Sequence, residues 1–210
     1  MVKTTKELIN NFQSYPDIWK SRVIPRLVNV SRFDKDKIPH KIYPFSDTAI
    51  VYGFQWLESE NSTAFMWLTN DLVEMLYDIY YDFDFDYFAM KNLKNSPYTF
   101  VSLMSLIAEL CPGMDIDMAP CPMFVLTNPN NMYGASVILR KDVLEKIYAF
   151  IGEYYILPSS VHEVIVVPTE VGEPENLREM VTEINGTVVE PHDVLSDGVL
   201  IFDGKELRES

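Results

Sequence analysis

The sequence predicts an α+β protein in which helices pack on a mainly antiparallel sheet. Two observations indicate this class. Short runs rich in β-branched and aromatic residues come in pairs joined by polar turns, which is typical of hairpins. Segments with apolar residues at helical spacing follow these pairs. With 210 residues, 48% of them hydrophobic, the chain is long enough to bury one core, and we expect a single domain.

The composition limits the classes of partner and cofactor. The formal net charge of −14 argues against direct binding of nucleic-acid phosphates, which requires clustered Lys and Arg. The same charge suits a basic protein partner, or mimicry of the charge of a nucleic acid. The glycines are dispersed at turns rather than gathered in a phosphate-binding loop, so no nucleotide cofactor is predicted.

The start of the chain and its cysteines bear on localisation. Residues Met1–Asn10 lack a signal-peptide pattern, and the longest apolar stretch, Tyr98–Cys111, is too short to span a bilayer. Cys111 and Cys121 show neither metal-binding spacing nor a disulfide framework, so we expect reduced thiols. The sequence therefore predicts a cytoplasmic protein without a membrane segment.

Three segments open the chain. Lys6–Trp19 is predicted to be helical. Arg22–Asn29 is apolar, but Pro25 cannot donate a hydrogen bond to a neighbouring strand, so we expect an edge or extended segment. Ser31–Lys41 is polar and is predicted to be a loop.

A hairpin and a helix follow. Thr48–Leu57 is predicted to be a strand, Glu58–Ser62 a turn, and Thr63–Thr69 the returning strand. Asn70 or Asp71 would then cap a helix, because a short side-chain oxygen can accept from the amides of the first turn. Its apolar stripe comprises Leu72, Val73, Leu76 and Ile79.

Acidic and aromatic residues alternate over Tyr80–Phe88. A strand with one acidic face would explain the alternation, but we favour a helix whose first turn carries the acidic residues, where the helix dipole stabilises them. Phe83, Tyr87 and Met90 would then share its buried face, which Ala89 and Leu93 continue. This region supplies our candidate binding residues for a basic partner: Asp78, Tyr80, Tyr81, Asp82, Asp84 and Asp86.

The second half of the chain echoes the first. Phe100–Leu110 is predicted to be a helix and Cys111–Pro122 a connector. A shift of 71 residues then aligns two strand–turn–strand–helix units, which predicts an internal ββα duplication with halves of about 22–110 and 120–205. The identical pairs are Ala64 and Ala135, Leu68 and Leu139, Asp71 and Asp142, Glu74 and Glu145, and Tyr77 and Tyr148.

The remaining elements are predicted from apolar runs and turn residues. In order they are strand Tyr154–Leu157, turn Pro158–Ser160, strand Glu163–Val167, helix Glu175–Ile184 ended by Asn185-Gly186, strand Val199–Phe202 and a polar tail from Asp203.

Ser160, His162 and Glu163 are the candidate catalytic residues. A serine nucleophile needs an adjacent base, and the base needs an acid to orient it. If a strand begins at Ser160, Ser160 and His162 face one side and Glu163 faces the other, so a triad requires a remote carboxylate. We therefore favour a core hairpin over a hydrolytic site. A metal site formed with His192 and Asp193 is not predicted, because adjacent residues of a strand diverge.

Most of the chain, from about residue 22 onward, carries a family resemblance, which in the first half rests on Arg26–Asn29 and Ile38–His40. The segments Pro122–Asn128, Tyr133–Leu139 and Tyr155–Pro168, with Leu177–Val181 and Val194–Asp197, resemble a domain family of unknown function from gut-dwelling Clostridia-type bacteria. The segment Ile156-Leu-Pro-Ser-Ser-Val-His-Glu-Val164 is its most specific part, and the layout is more distantly similar to YtpQ-like proteins. The resemblance implies no established activity, cofactor or catalytic residue.

Three functional hypotheses result. The first is a non-enzymatic protein-binding or regulatory module, indicated by an acidic, aromatic-rich composition. The second is an acidic inhibitor that mimics nucleic acid and blocks a defence enzyme through Asp78, Asp82, Asp84 and Asp86. The third is a hydrolase that uses Ser160 and His162.

Overall fold

A computed structural model describes residues 19–59, 62–80, 84–110 and 122–210. The predicted opening helix, the connector with both cysteines, and the candidate residues Tyr81 and Asp82 lie outside these ranges, except that Trp19 and Lys20 are helical. The chain divides into two compact units. Among the described residues, one unit comprises 19–26, 33–41 and those of 50–96, and the other comprises 27–32, 42–49 and those of 97–210. The single domain of two repeat halves stays a prediction.

The first sheet has four strands. They are β1 (Val23–Asn29), β2 (His40–Ile42), β3 (Thr48–Ser59) and β4 (Ser62–Trp67). The strand order is β1-β3-β2, and β4 pairs antiparallel with β3. The predicted hairpin is thus confirmed. β1 lies at an end of the strand order, which is where a sheet tolerates a proline such as Pro25, because proline lacks the N–H that an inner strand needs. The predicted loop over Ser31–Lys41 runs into β2.

Two helices follow this hairpin, α1 (Asn70–Ile79) and α2 (Phe85–Asn95). The predicted cap of α1 is wrong by one residue. Because the helix already begins at Asn70, Thr69 is its cap, and the Thr69 hydroxyl accepts from the amide of Leu72 at 3.2 Å. The helix that we favoured over a strand is confirmed in α2, although it begins at Phe85 instead of near Asp82.

The Thr69 cap gives a direct test of where α1 begins. We expect Thr69→Ala to lower the free energy of unfolding by about 1 kcal/mol, because an amide of the first turn loses its acceptor. Thr69→Ser keeps a hydroxyl and should retain most of the stability. Urea denaturation would measure both. Equal stability of Thr69→Ala and Thr69→Ser would contradict the cap.

The second unit contains a six-stranded sheet. Its strands are β5 (Thr99–Ser102), β6 (Phe124–Thr127), β7 (Tyr154–Leu157), β8 (Val164–Pro168), β9 (Leu200–Phe202) and β10 (Leu207–Glu209), in the order β10-β9-β7-β8-β6-β5. Every neighbouring pair is antiparallel, which confirms the α+β class with a mainly antiparallel sheet.

The strands at both edges of this sheet, and one helix, differ from prediction. The segment predicted to be helical from Phe100 begins as β5, and only Leu103–Leu110 forms a helix, α3. The tail after Asp203 returns as β10, because Gly204, with φ of 90°, makes the turn. The helix predicted to end at Asn185 continues to Thr187.

Helices cover both faces of this sheet. They are α4 (Lys141–Ile151) and α5 (Pro174–Thr187). Adjacent residues of a strand face opposite sides. The Tyr154 hydroxyl donates to the carbonyl of Leu144 in α4 at 3.0 Å, whereas Tyr155 packs in a cluster with residues of α5. The sheet is therefore the middle of three layers, and β8 is an inner strand because it pairs with both β6 and β7. None of the helices in the described ranges is long and apolar enough to cross a membrane.

The second strand of the predicted repeat is wrong. Gly134–Leu139 forms a buried 3₁₀ helix before α4 instead of a strand. The physical reason is that β6 already pairs with β5 on one side and β8 on the other, so no edge beside β6 can accept a returning strand. The order of strand, 3₁₀ helix and α-helix does not repeat the β3–β4–α1 unit at this position.

Candidate functional site

The connection between β7 and β8, residues 158–163, is fastened to the chain segment before β9. The Val161 amide donates to the Asp193 carbonyl at 2.8 Å, and Ser160 forms an isolated antiparallel bridge with Val194. The second strand of the hairpin begins only at Val164. The hairpin prediction is thus confirmed for its strands, while its connection pairs with a distant segment instead of forming a free turn.

Both ring nitrogens of His162, which lies in this connection, contact other segments of the chain. Nδ1 lies 3.2 Å from the backbone nitrogen of Tyr133, and Nε2 lies 3.2 Å from Oδ1 of Asp193. Because a backbone N–H can only donate, Nδ1 is the acceptor, and in the neutral ring Nε2 carries the proton that faces Asp193. The remote carboxylate that a triad requires is therefore present.

The serine of such a triad points elsewhere. Ser160 is buried, and its Oγ accepts from the backbone amide of His162 at 2.9 Å. A nucleophile must instead donate to the ring nitrogen that will take its proton. Since both ring nitrogens of His162 face Tyr133 and Asp193, the arrangement orients an imidazole without coupling it to Ser160. We call Tyr133, Ser160, His162 and Asp193 the histidine site.

The main chain of His162 is held as firmly as its ring. Its carbonyl accepts from the Thr127 hydroxyl at 2.7 Å and from the Gly134 amide at 2.8 Å. The Tyr133 ring packs against the His162 ring with centroids 5.3 Å apart. These contacts join the end of β6, the start of the 3₁₀ helix and the β7–β8 connection.

The loop that presents Tyr133 has an unusual backbone. Asn131 and Tyr133 adopt left-handed conformations, with φ of 51° and 54°. Such conformations cost non-glycine residues roughly 1–3 kcal/mol each and persist where the surroundings enforce them. The Asn128 side chain is one such constraint, because it donates to the Met132 carbonyl at 2.8 Å and accepts from the amide of Asn130.

A second histidine borders the site. His192 is 73% exposed, and its Nε2 lies 3.6 Å from Oδ2 of Asp193. The two histidine rings, of His162 and His192, thus lie against the two oxygens of the Asp193 carboxylate. Within the described ranges, no group of three or more His, Cys, Asp or Glu side chains is arranged to hold a metal ion.

The acidic candidates lie in the other unit. Asp84 caps α2, where its Oδ1 accepts from the Tyr87 amide at 2.9 Å. Asp86 accepts from the Tyr52 hydroxyl, and burial, followed by this hydrogen bond, raises the pKa of Tyr52. Asp78 is exposed in the last turn of α1. Two of the predicted binding residues, Asp84 and Asp86, therefore also have structural contacts.

The ends of α1 and α2 meet on one tryptophan. The rings of Tyr80 and Phe88 lie 5.5 Å and 5.4 Å from the ring of Trp19. This shared contact brings the last turn of α1 close to the first turns of α2. Tyr80 is half-buried by it, so this candidate contributes to packing.

Sequence reasoning missed the exposed aromatic residues here. Tyr77 is 49% exposed and Tyr87 is 56% exposed. The expected burial of Tyr87 is wrong, whereas the expected burial of Ala89 and Leu93 on α2 is confirmed. We call four exposed residues the acidic face: Tyr77 and Asp78 in the last turn of α1, and Asp84 and Tyr87 at the start of α2.

The fold and the two clusters define an α+β protein built on antiparallel sheets, with a half-buried histidine–aspartate pair in one unit and an exposed acidic face in the other. The chain matches the family of unknown function DUF5688 over residues 2–204, and it belongs to that family. No curated protein and no solved structure matches it significantly.

Proposed function

We propose that this protein is a non-enzymatic, cytoplasmic binding module that recognises a basic segment of another protein through the acidic face. The observation that carries the proposal is the position of Asp78. A carboxylate in the last turn of a helix lies at the negative end of the helix dipole, which costs about 0.3–1 kcal/mol. The last turn of α1, which lies wholly within the described residues, contains no basic residue that would offset this cost. A Lys or Arg side chain from a partner protein would offset this cost.

The neighbouring side chains suit the same partner. Asp84 and Asp86 add two carboxylates at the start of α2. The exposed ring of Tyr87 can receive a cation on its face, and Lys91 already lies over it at 5.8 Å. Carboxylates beside exposed tyrosine rings favour arginine, which pairs with the former and stacks on the latter.

The hydrolase hypothesis has less support. It would require Ser160 to reach the His162 ring, whereas Ser160 is buried and accepts from a backbone amide. The inhibitor hypothesis is a special case of the binding proposal, in which the partner is a nucleic-acid-handling defence enzyme and the carboxylates replace phosphates. The resemblance to proteins of gut bacteria and the YtpQ-like layout support a bacterial setting.

A labelled octa-arginine peptide provides a defined probe for this face. We expect Asp78→Asn with Asp84→Asn to weaken its binding at least about tenfold at low salt, because close charge pairs contribute more than about 1.4 kcal/mol in total. Asn is also a good helix cap, so the Asp84→Asn change removes charge and preserves α2. Fluorescence anisotropy would give the dissociation constants.

A matched control separates the face from the overall charge. Glu179→Gln with Glu183→Gln removes the same charge from exposed positions of α5 and should leave peptide binding within about twofold of the wild type. Equal weakening in both double variants, or unchanged binding in the Asp78 and Asp84 variant, would overturn the proposal.

A further inference from the structure

His162 joins three segments of the second unit through one side chain. Its own segment is the β7–β8 connection. Its Nδ1 accepts from the amide of Tyr133, at the end of the loop 128–133, and its Nε2 faces Asp193 in the turn before β9. A side chain that satisfies a main-chain donor with a titratable nitrogen makes that contact depend on its protonation state.

The charged and titratable groups around the ring come from all three segments. Asp193 faces Nε2 from the turn, and His192 lies against the other oxygen of the same carboxylate. Tyr133 faces the ring from the loop. From the connection itself, Glu163 follows His162 in the chain and is half-buried. The neutral ring satisfies both Tyr133 and Asp193 at once.

A second proton has only one place on this ring. Nε2 already carries a proton toward Asp193, so the added proton binds Nδ1 and takes the lone pair that accepts from Tyr133. Two N–H groups then oppose each other, and the hydrogen bond between them is lost. The imidazolium keeps its partner, because its attraction to the Asp193 carboxylate strengthens. The backbone N–H of Tyr133 loses this acceptor, which is costly at a half-buried residue.

The backbone of the loop 128–133 depends on contacts that protonation of His162 would change. Asn131 and Tyr133 hold left-handed backbones, and the bond to Nδ1 is one of the constraints that keep Tyr133 in place. We propose that His162 is a pH-sensitive latch, in which protonation at Nδ1 releases Tyr133 and loosens the loop 128–133. The bonds from Thr127 and Gly134 to the His162 carbonyl do not involve the ring, so the release is confined to this loop.

Amide hydrogen exchange measured by NMR tests the latch in the full chain. Spectra at pH about 7.5 and about 5 bracket the range in which histidine side chains titrate. After correction for the intrinsic pH dependence of exchange, we expect the protection of the Tyr133 amide to fall by about tenfold or more at the lower pH, as loss of one hydrogen bond implies. The Gly134 amide should keep its protection. Equal protection of Tyr133 at both pH values would overturn the latch.

Two variants assign the effect to one ring. His162→Asn provides an amide oxygen as acceptor and cannot titrate, so protection of Tyr133 should become independent of pH. His192→Gln removes the neighbouring histidine and should behave like the wild type. A pH-dependent loss that persists in His162→Asn, or that disappears in His192→Gln, would refute the assignment. The acidic face takes no part in either measurement.

Discussion

Gly134→Ala is expected to destabilise the protein by about 2–4 kcal/mol, because the site has no room for a Cβ atom. An added Cβ would collide with Thr127 Oγ1 and would lie 2.6 Å from the His162 carbonyl oxygen and 2.7 Å from the Asn128 nitrogen. The last two atoms belong to the main chain and cannot rotate away. The substitution must therefore separate the 3₁₀ helix from the β7–β8 connection.

Gly186→Ala is the matched control for this substitution. Gly186 lies within α5, and no atom of the described residues beyond its own helix lies within 4 Å of where a methyl group would stand. Alanine there should therefore stabilise the helix by roughly 0.5–1 kcal/mol. Guanidinium denaturation of the two variants would measure the difference. If the two variants unfold at the same guanidinium concentration, the main-chain atoms around Gly134 do not lie as close as 2.6–2.7 Å to the added Cβ atom. The contrast also tests the continuation of α5 through Asn185-Gly186.

Phe202→Ala is expected to cost about 3–5 kcal/mol, because it leaves a cavity on the α4 side of the six-stranded sheet. Phe202 is 1% exposed, and its ring lies 5.6 Å from Tyr154 and 6.1 Å from Tyr148. Tyr154 is itself fixed by its hydrogen bond to α4, so the neighbours cannot collapse freely into the space.

Phe150→Ala removes the same side chain from a position that is 71% exposed. It should change the free energy of unfolding by no more than about 1 kcal/mol, since most of that ring is already in contact with water. Denaturation of the two alanine variants under identical conditions gives the comparison. A loss for Phe150→Ala that equals the loss for Phe202→Ala would contradict the assignment of the core.

Local pattern was sufficient for the elements that pack by their own side chains. The pattern predicts strands over Thr48–Leu57 and Glu163–Val167, because β-branched and aromatic residues suit a pleated, buried surface. The helical interpretation of the segment that contains Phe85–Asn95 is also confirmed, because Asp84 and Asp86 are stabilised at a helix start whatever the rest of the fold does.

Tertiary pairing decided the elements that the pattern misassigned. Gly134–Leu139 is apolar enough for a strand, yet β6 has neighbours on both sides and leaves it no partner. Asn185-Gly186 has the residues of a helix end, but the helix continues because the Asn185 side chain donates to the Ser196 carbonyl at 3.1 Å and to Asp197 at 2.6 Å. A contact of this range has no local signature in the sequence.

The sequence by itself determined the α+β class, the hairpin strands around Pro158–Glu163 and the concentration of carboxylates near Asp84, because each depends on residues close together in the chain. Only the tertiary structure decided what His162 does. Its carboxylate partner, Asp193, arrives through the pairing of Ser160 with Val194, and its donor is the main-chain N–H of Tyr133. Every residue except proline has such an N–H, so no choice of side chain could reveal which one His162 would bind.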